Sequence, residues 1–426
     1  MRLTALLFLS FGWAHAADKP LTLEAALAAI DSPHPQIQSA QAQLALALAD
    51  QQIADSSTDA TLALEGALRR GQTTLAPTSW LDDHSARLVL RKNLLDFGRE
   101  QGLVEAARQE VNAQRLGLLE ARDARRIDIM ARYFDVLLAD AQAATDNEYT
   151  AVYYVSWDDA KKRFELGELN NRDLAQLEAR YQDQREKRNR SQTLQRTSRQ
   201  KLAHALNQPG QLPNTLEIPR LPHNNLTLPE YEHLLTRAMQ RNRKLLALQS
   251  QLNGVTARTE AIRATRAPTL DVEISASDYS RDTATRDRYS GGLVLNWPIY
   301  QGERVDGRLA REAAERVRLE AQTEQFRRDL AENLLDTWLE IDWLKNTARP
   351  TAQTQIHYRD QALERARAEY EMELKTNLGT AMADTQTASV RAQQVEFRLA
   401  LAIARLEALL GQSLSEASQP VLAEKK

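Results

Sequence analysis

Leu270-Asp271-Val272-Glu273-Ile274-Ser275-Ala276-Ser277 sets Leu270, Val272, Ile274 and Ala276 on one side of an extended chain and Asp271, Glu273, Ser275 and Ser277 on the other. Successive side chains of a strand point to opposite faces, so this is the signature of a two-faced strand. Three more stretches alternate. Leu62, Leu64, Gly66 and Leu68 oppose Ala63, Glu65, Ala67 and Arg69, and Gly291, Leu293, Leu295 and Trp297 oppose Ser290, Gly292, Val294 and Asn296. Leu88 and Leu90 oppose Arg87, Val89 and Arg91 in a less regular run. Each stretch is about ten residues, the length a tilted strand needs to cross a bilayer. Trp80, Tyr279, Tyr289 and Trp297 are expected at strand ends, where membrane barrels carry aromatic girdles. A soluble sheet with one wet face alternates in the same way, so alternation alone leaves both readings open.

The rest of the chain decides between them. Met1-Arg2, the apolar run Leu3 to Trp13 and the small residues of Ala14-His15-Ala16 read as an export signal over 1–16, with a mature chain from near Ala17. No later stretch reaches the roughly 18 apolar residues of a membrane helix, so any crossing must be made by strands. The 426 residues hold 55 Lys+Arg against 58 Asp+Glu, a formal charge of −3, which offers nucleic acid no attracting field. The absence of cysteine excludes disulfides, thiolate metal sites and a lipid-anchored terminus. Fifteen Gly and 13 Pro are sparse punctuation for this length. With a mean hydropathy of −0.53, the chain is too polar for a bundle of membrane helices and suited to long soluble ones.

The chain repeats itself about 205 residues later. Leu21-Thr22-Leu23 returns as Leu226-Thr227-Leu228, and Thr61-Leu62-Ala63-Leu64-Glu65 as Thr269-Leu270-Asp271-Val272-Glu273. Asp96-Phe97-Gly98-Arg99-Glu100 returns as Tyr300-Gln301-Gly302-Glu303-Arg304, and Lys162-Arg163-Phe164-Glu165 as Ala368-Glu369-Tyr370-Glu371. The spacing predicts a first repeat over 17–208, a proline-rich linker over 209–229, a second repeat over 230–411 and a disordered tail over 412–426. Each repeat holds a helix, two strands (about 60–69 and 85–94, then 269–277 and 289–297), a very long helix, a tip and a return helix. The tips are placed near 165–172 and 372–377, and the opening helix of the second repeat is expected unbroken from about Leu228 to Arg266. Apolar residues step by three and four at Ile127, Met130, Phe134 and Leu137 and at Leu330, Leu334, Trp338 and Ile341, as on one face of a helix. A helix of about 66 residues between Gly98 and Phe164 is roughly 100 Å long, a length found in coiled-coil assemblies.

Export, and helices that need their apolar stripes for one another, leave the four strands without a partner layer. Four strands cannot close a barrel, since membrane barrels begin at about eight, and an open edge in lipid costs several kcal/mol per unpaired backbone group. Copies must therefore pool strands: a dimer gives eight, a trimer twelve.

The order signal, helix, strand pair, long helix, tip and return helix resembles the TolC-like outer membrane efflux protein family. Leu94-Leu95-Asp96-Phe97-Gly98-Arg99 and Trp297-Pro298-Ile299-Tyr300-Gln301-Gly302 mark the exit of each strand pair. The resemblance covers nearly the whole mature chain. It implies a mainly α homotrimer with a small β part. Four transmembrane strands per protomer form one twelve-stranded barrel in the outer membrane of a Gram-negative bacterium, continued by a helical barrel in the periplasm. It also implies a passive exit duct for efflux or type I secretion, served by an inner-membrane transporter through a periplasmic adaptor, with no cofactor. Phe164-Glu165-Leu166-Gly167-Glu168 resembles the family's aromatic tip, so Leu166, Gly167 and Glu168, with Glu373 and Leu374 of the second tip, are the expected adaptor-docking residues. Asp173, Tyr370 and Lys375 match periplasmic gate positions. Glu373 stands where Gly is usual, and Gly379 and Met382 where acids are usual, so a ring of Asp173 stands alone. From the residues themselves, Asp173 also fits a helix-end cap and Lys375 a solvated charge.

Six histidines follow the export signal, at 34, 84, 204, 223, 233 and 357, without metal-pair spacing. There is no nucleophile elbow, phosphate loop or dinucleotide fingerprint, so no enzyme is expected. The rival from another class is a periplasmic coiled-coil scaffold or adaptor carrying a small soluble sheet.

Overall fold

The computed structural model describes residues 20–73, 76–209, 215–281, 286–372 and 377–417. The export signal therefore lies outside the described residues. Two compact units share the chain. One takes Met1–His34, Arg122–Leu234 and Leu334–Lys426, the other Pro35–Ala121 and Leu235–Asn333.

The first unit is helical. It holds α1 (Leu23–Ala28), most of α3 (Arg99–Glu165), α4 (Asn171–Ala205), α8 (Arg349–Glu371), α9 (Leu378–Leu410) and α10 (Leu414–Ala417). Thr22 starts α1 by accepting a hydrogen bond from Ala25 N at 3.1 Å. The core joins Ile129, Tyr133, Phe134 and Val136 of α3 to Leu202 of α4, Phe397 of α9 and Ala26 of α1. The Phe134 and Phe397 rings stack at 4.5 Å. The two repeat starts are stapled together here: Leu21 N donates to Thr215 O and Glu217 N to Leu21 O, at 2.9 and 3.0 Å. The buried Tyr133 hydroxyl lies 2.7 Å from Leu21 O and 2.6 Å from Glu217 O.

Helix α7 (Arg304–Trp343) passes into α8 through a π turn, Leu344–Ala348. Pro350 follows and has no N–H to close the preceding turn, which favours a local change of hydrogen-bond pattern. Beside it Arg349 grips Glu396 with two bonds of 2.6 Å, and Asn224 Nδ2 of the linker donates to Glu396 Oε2 at 2.8 Å. The expected disorder after Gly411 does not hold for Leu414–Ala417: Leu414 is buried, and its N–H donates to Glu407 at 3.1 Å.

The second unit carries the sheets and holds α2 (Pro35–Ser56) and α6 (Arg243–Ala264), with the first turns of α3 and most of α7. The single helix expected from Leu228 to Arg266 is two, α5 (Tyr231–Arg241) and α6. Asn242 ends one and caps the other, accepting from Leu245 N at 3.1 Å. Gly102 permits close packing of α3 on α6, since a Cβ there would meet Ala257 O and Ala261 Cβ at 3.0 Å. Leu248 and Val255 of α6 pack with Leu319 of α7, so these helices consume their own apolar stripes.

The four expected strands are β1 (Thr61–Ala67), β4 (Ser85–Leu95), β5 (Thr269–Tyr279) and β6 (Tyr289–Asn296). They form one antiparallel sheet in the order β1-β4-β5-β6. A second ribbon, β2 (Arg70–Thr73) with β3 (Ala76–Asp82), was not foreseen. It places Trp80 inside β3 rather than at a strand end, whereas Tyr279 closes β5 and Tyr289 opens β6 as expected.

Pairing register assigns the faces. Leu62 sits opposite Leu90, Leu64 opposite Leu88, Leu90 opposite Ile274 and Val272 opposite Leu293. This apolar face is bare: Leu62, Leu293 and Leu295 are each 65% exposed and Leu64 76%. Among the described residues no layer covers it. The opposite face is polar and tied across strands.

Candidate functional site

The first helix tip follows from local backbone chemistry. Gly167 adopts φ +80°, where a Cβ would be strained. Its N–H donates to Phe164 O at 3.0 Å and that of Glu168 to Arg163 O at 2.9 Å, the paired closing bonds of a Schellman end to α3. Leu166 is left 74% exposed, and Glu168 turns back to Arg163 at 3.6 Å. Asn170 then starts α4, accepting from Asp173 N at 2.8 Å and donating to Asp173 Oδ2 at 2.7 Å. Asp173 is thus the reciprocal partner in a cap, with Oδ1 free of hydrogen bonds among the described residues.

The turn brings Leu166, Gly167, Glu168 and Asp173 together. Tyr370 lies on the last turn of α8, more than half exposed, and no hydrogen bond joins it to Asp173 among the described residues. Glu373, Leu374 and Lys375 lie outside the described residues. Gly379 sits at the start of α9, where an added Cβ would come within 2.9 Å of Val152 Cγ2. An acid at 379 would therefore collide with α3.

Sequence reasoning missed a cluster above the tips. Tyr149 of α3 donates to Asp384 Oδ1 of α9 at 2.5 Å, while Arg359 of α8 donates to Asp384 Oδ2 at 2.6 Å. Thr387 adds a bond to the Tyr149 hydroxyl at 3.3 Å. Burial first, and then the bond to Asp384, push the Tyr149 pKa up. One carboxylate thereby ties three helices. Its only advance signal was an acid at 384 near the second tip, since its partner on α3 lies 235 residues away. On the other flank of α3, the Trp157 ring stacks on Tyr181 of α4 at 5.3 Å.

The polar face of the sheet is the second part of the site. Arg91 of β4 donates to Glu273 of β5 at 2.8 Å and approaches Glu65 of β1 at 3.9 Å. Arg87 also bonds Glu273, Asn93 donates to Asp271 at 2.8 Å, and the Ser275 and Ser290 hydroxyls meet at 2.7 Å. Two arginines against two glutamates make this ladder neutral. It can line water without drawing one sign of charge.

Residues 234–412 match the model of the outer membrane efflux protein family. The second repeat is an outer membrane efflux protein domain. No curated protein gives a significant match. Among solved structures, the whole chain shares its fold with a membrane protein from Pseudomonas aeruginosa at 18% identity and TM-score 0.75, covering 95% of this chain and 92% of that one. The outer membrane protein VceC of Vibrio cholerae is 19% identical with TM-score 0.71, over 92% of this chain and 96% of that one. The MtrE outer membrane channel of Neisseria gonorrhoeae is 16% identical with TM-score 0.72, over 93% of this chain and 91% of that one. An efflux protein domain at 234–412 spans β5, β6 and the helices after them, and the full fold is that of TolC-like channels.

Proposed function

We propose that the chain is one protomer of a trimeric outer-membrane duct, which passes solutes outward from an inner-membrane transporter and its periplasmic adaptor. The bare apolar face of the four-stranded sheet carries this reading. Burying a leucine is worth about 1.5–3 kcal/mol, so a row of exposed leucines backed by a satisfied polar face suits lipid outside and water inside. β1 and β6 have unpaired edges, which lipid penalises, and three copies supply the twelve strands that remove them. The soluble scaffold reading requires the opposite: the apolar face covered and the charged face wet.

The duct does no chemistry, and the energy for transport comes from the inner-membrane partner. Asp173, half-exposed with one free oxygen, is a candidate acidic ring about the axis; three copies repel one another and attract cations. Tyr370 and Lys375 are candidate gate partners, and Leu166, Gly167 and Glu168, with Glu373 and Leu374, candidate docking points for the adaptor. Membrane fractionation tests the core of this proposal. The protein should stay with the outer membrane through a urea wash and run as a heat-modifiable oligomer. Release into the wash as a monomer would refute it.

A further inference from the structure

Because the chain is a duplication, the seam between its repeats can be compared with the ends it leaves open. In the sheet the repeats meet where β4 pairs with β5, and the open edges are β1 and β6. β4 and β6 are the second strands of their repeats, and β1 and β5 the first. A β6–β1 pairing between copies therefore joins the same two kinds of strand as β4–β5. The helical unit repeats the pattern. Side-chain contacts run from α4 to α3 (Trp157 on Tyr181), α3 to α9 (Tyr149 to Asp384) and α9 to α8 (Asp384 to Arg359). Here too the repeats meet long helix to return helix, leaving a long helix, α8, and a return helix, α4, at the ends.

We propose that the seam between copies reproduces the seam between repeats, with β6 antiparallel to β1 of the next copy and α8 against α4 of the next copy. It rests on the duct reading and assigns that assembly its contacts. The arrangement is head-to-tail and closes as a ring.

The strand register follows. Val89 faces Ser275 and Arg91 faces Glu273 across β4–β5, and β4 carries one extra residue at a bulge between Asn93 and Leu95. With Gly98 matched to Gly302 and the bulge discounted, Val89 corresponds to Val294 and Arg91 to Asn296. With Thr61 matched to Thr269, Ser275 corresponds to Ala67 and Glu273 to Glu65. Val294 therefore meets Ala67 of the next copy, and Asn296 meets Glu65 of the next copy. The same register sets Leu293 beside Leu68 and Leu295 beside Gly66 on the apolar side. A slip of one residue would turn one strand's leucines inward, so the apolar pattern independently supports the alignment.

The two helix seams differ in their side chains. Inside one chain, Val152 presses on Gly379, and Asp384 is held by Tyr149 and Arg359. With Phe164 matched to Tyr370, the corresponding pairs between copies are Tyr358 with Asp173 and Gln355 with Glu178. A tyrosine and an aspartate replace a valine and a glycine, and Gln355 already accepts from Arg391 at 2.9 Å. The seam between copies is therefore the wider and less bonded one at this level. The tips part there, while each chain's own seam stays shut.

The chain has no cysteine, so an introduced pair is the only one present. Val294→Cys with Ala67→Cys, oxidised in intact membranes, should give covalent trimers as the largest product. The yield should be on the order of tenfold above Val294→Cys with Ala63→Cys, because disulfides need Cβ atoms about 4 Å apart. Tyr358→Cys with Asp173→Cys should also link and hold the conductance low until reductant is added. Preference for Ala63 would overturn the register, and no strand link in a protein of trimeric native mass would overturn the seam. A strand link without a helix link would overturn the helix pairing. A monomer would instead defeat the duct reading itself.

Discussion

Leu293 and Val294 are neighbours near the middle of β6, 65% and 45% exposed, and they point to opposite faces. Arginine at each separates the two readings of the sheet. If the apolar face meets lipid, Leu293→Arg places a guanidinium near the bilayer midplane at about 2–4 kcal/mol per chain. Three copies make that about 6–12 kcal/mol for the assembly, comparable to the total stability of an ordinary domain at about 5–15 kcal/mol. Val294→Arg puts the same charge on the polar face, where water and the Glu65–Arg91–Glu273 ladder accept it at little cost. Both variants alter the same edge strand, so damage to that edge cancels in the comparison. The assay is the amount of heat-modifiable oligomer in the outer-membrane fraction, with total protein measured alongside. Leu293→Arg should fall at least about tenfold below Val294→Arg, since 1.4 kcal/mol already gives a factor of ten. Equal amounts, or a gain in soluble protein for Leu293→Arg, would refute the lipid-facing assignment.

Asp384→Asn weakens the tie among α3, α8 and α9. The groups are part-exposed, so the loss is about a kcal/mol, and single-channel conductance in planar bilayers should rise. Unchanged conductance would remove the cluster from control of the tip. Tyr133 is buried, and burial pushes its pKa up to about 12, with the bonded Glu217 carbonyl pulling slightly the other way. The raised value means its stabilisation is complete below the free tyrosine value near 10 and lost as pH climbs towards about 12. Tyr133→Phe should lower the melting temperature at pH 8, through two carbonyls left unbonded, and flatten the alkaline decline seen in the parent; an identical alkaline limb would refute this.

Much of the architecture was legible because it rests on period. Alternation located β1, β4, β5 and β6, steps of three and four located the long helices, and Gly167 located the first tip. What period does not encode was missed. Arg70-Gly71-Gln72-Thr73 has no apolar face, so β2 passes for loop, and Trp80 was put at a strand end. Leu234, Leu245 and Leu248 keep a helical rhythm through Asn242, which hides a break made by one side-chain cap. The Tyr149–Arg359–Asp384 cluster joins residues from both repeats, and no local pattern announces it. Asp173 was open between ring and cap. Its bonds to Asn170 show a helix-end partner, and its free oxygen leaves the ring as a proposal.

The π turn at Leu344–Ala348 has a consequence for how the second repeat tolerates change. A turn of this kind fits one residue more than a regular helical turn, so it acts as a phase shifter in an otherwise continuous rod. Side chains beyond it are rotated by about 100° relative to an uninterrupted spiral, whereas the 67 residues of α3 keep a single phase. Deleting one residue there would preserve every downstream hydrogen bond along the axis yet aim Ala352, Ala366 and Arg359 away from α9. Sequence length in this stretch is thus a steering parameter, with a tolerance of zero residues.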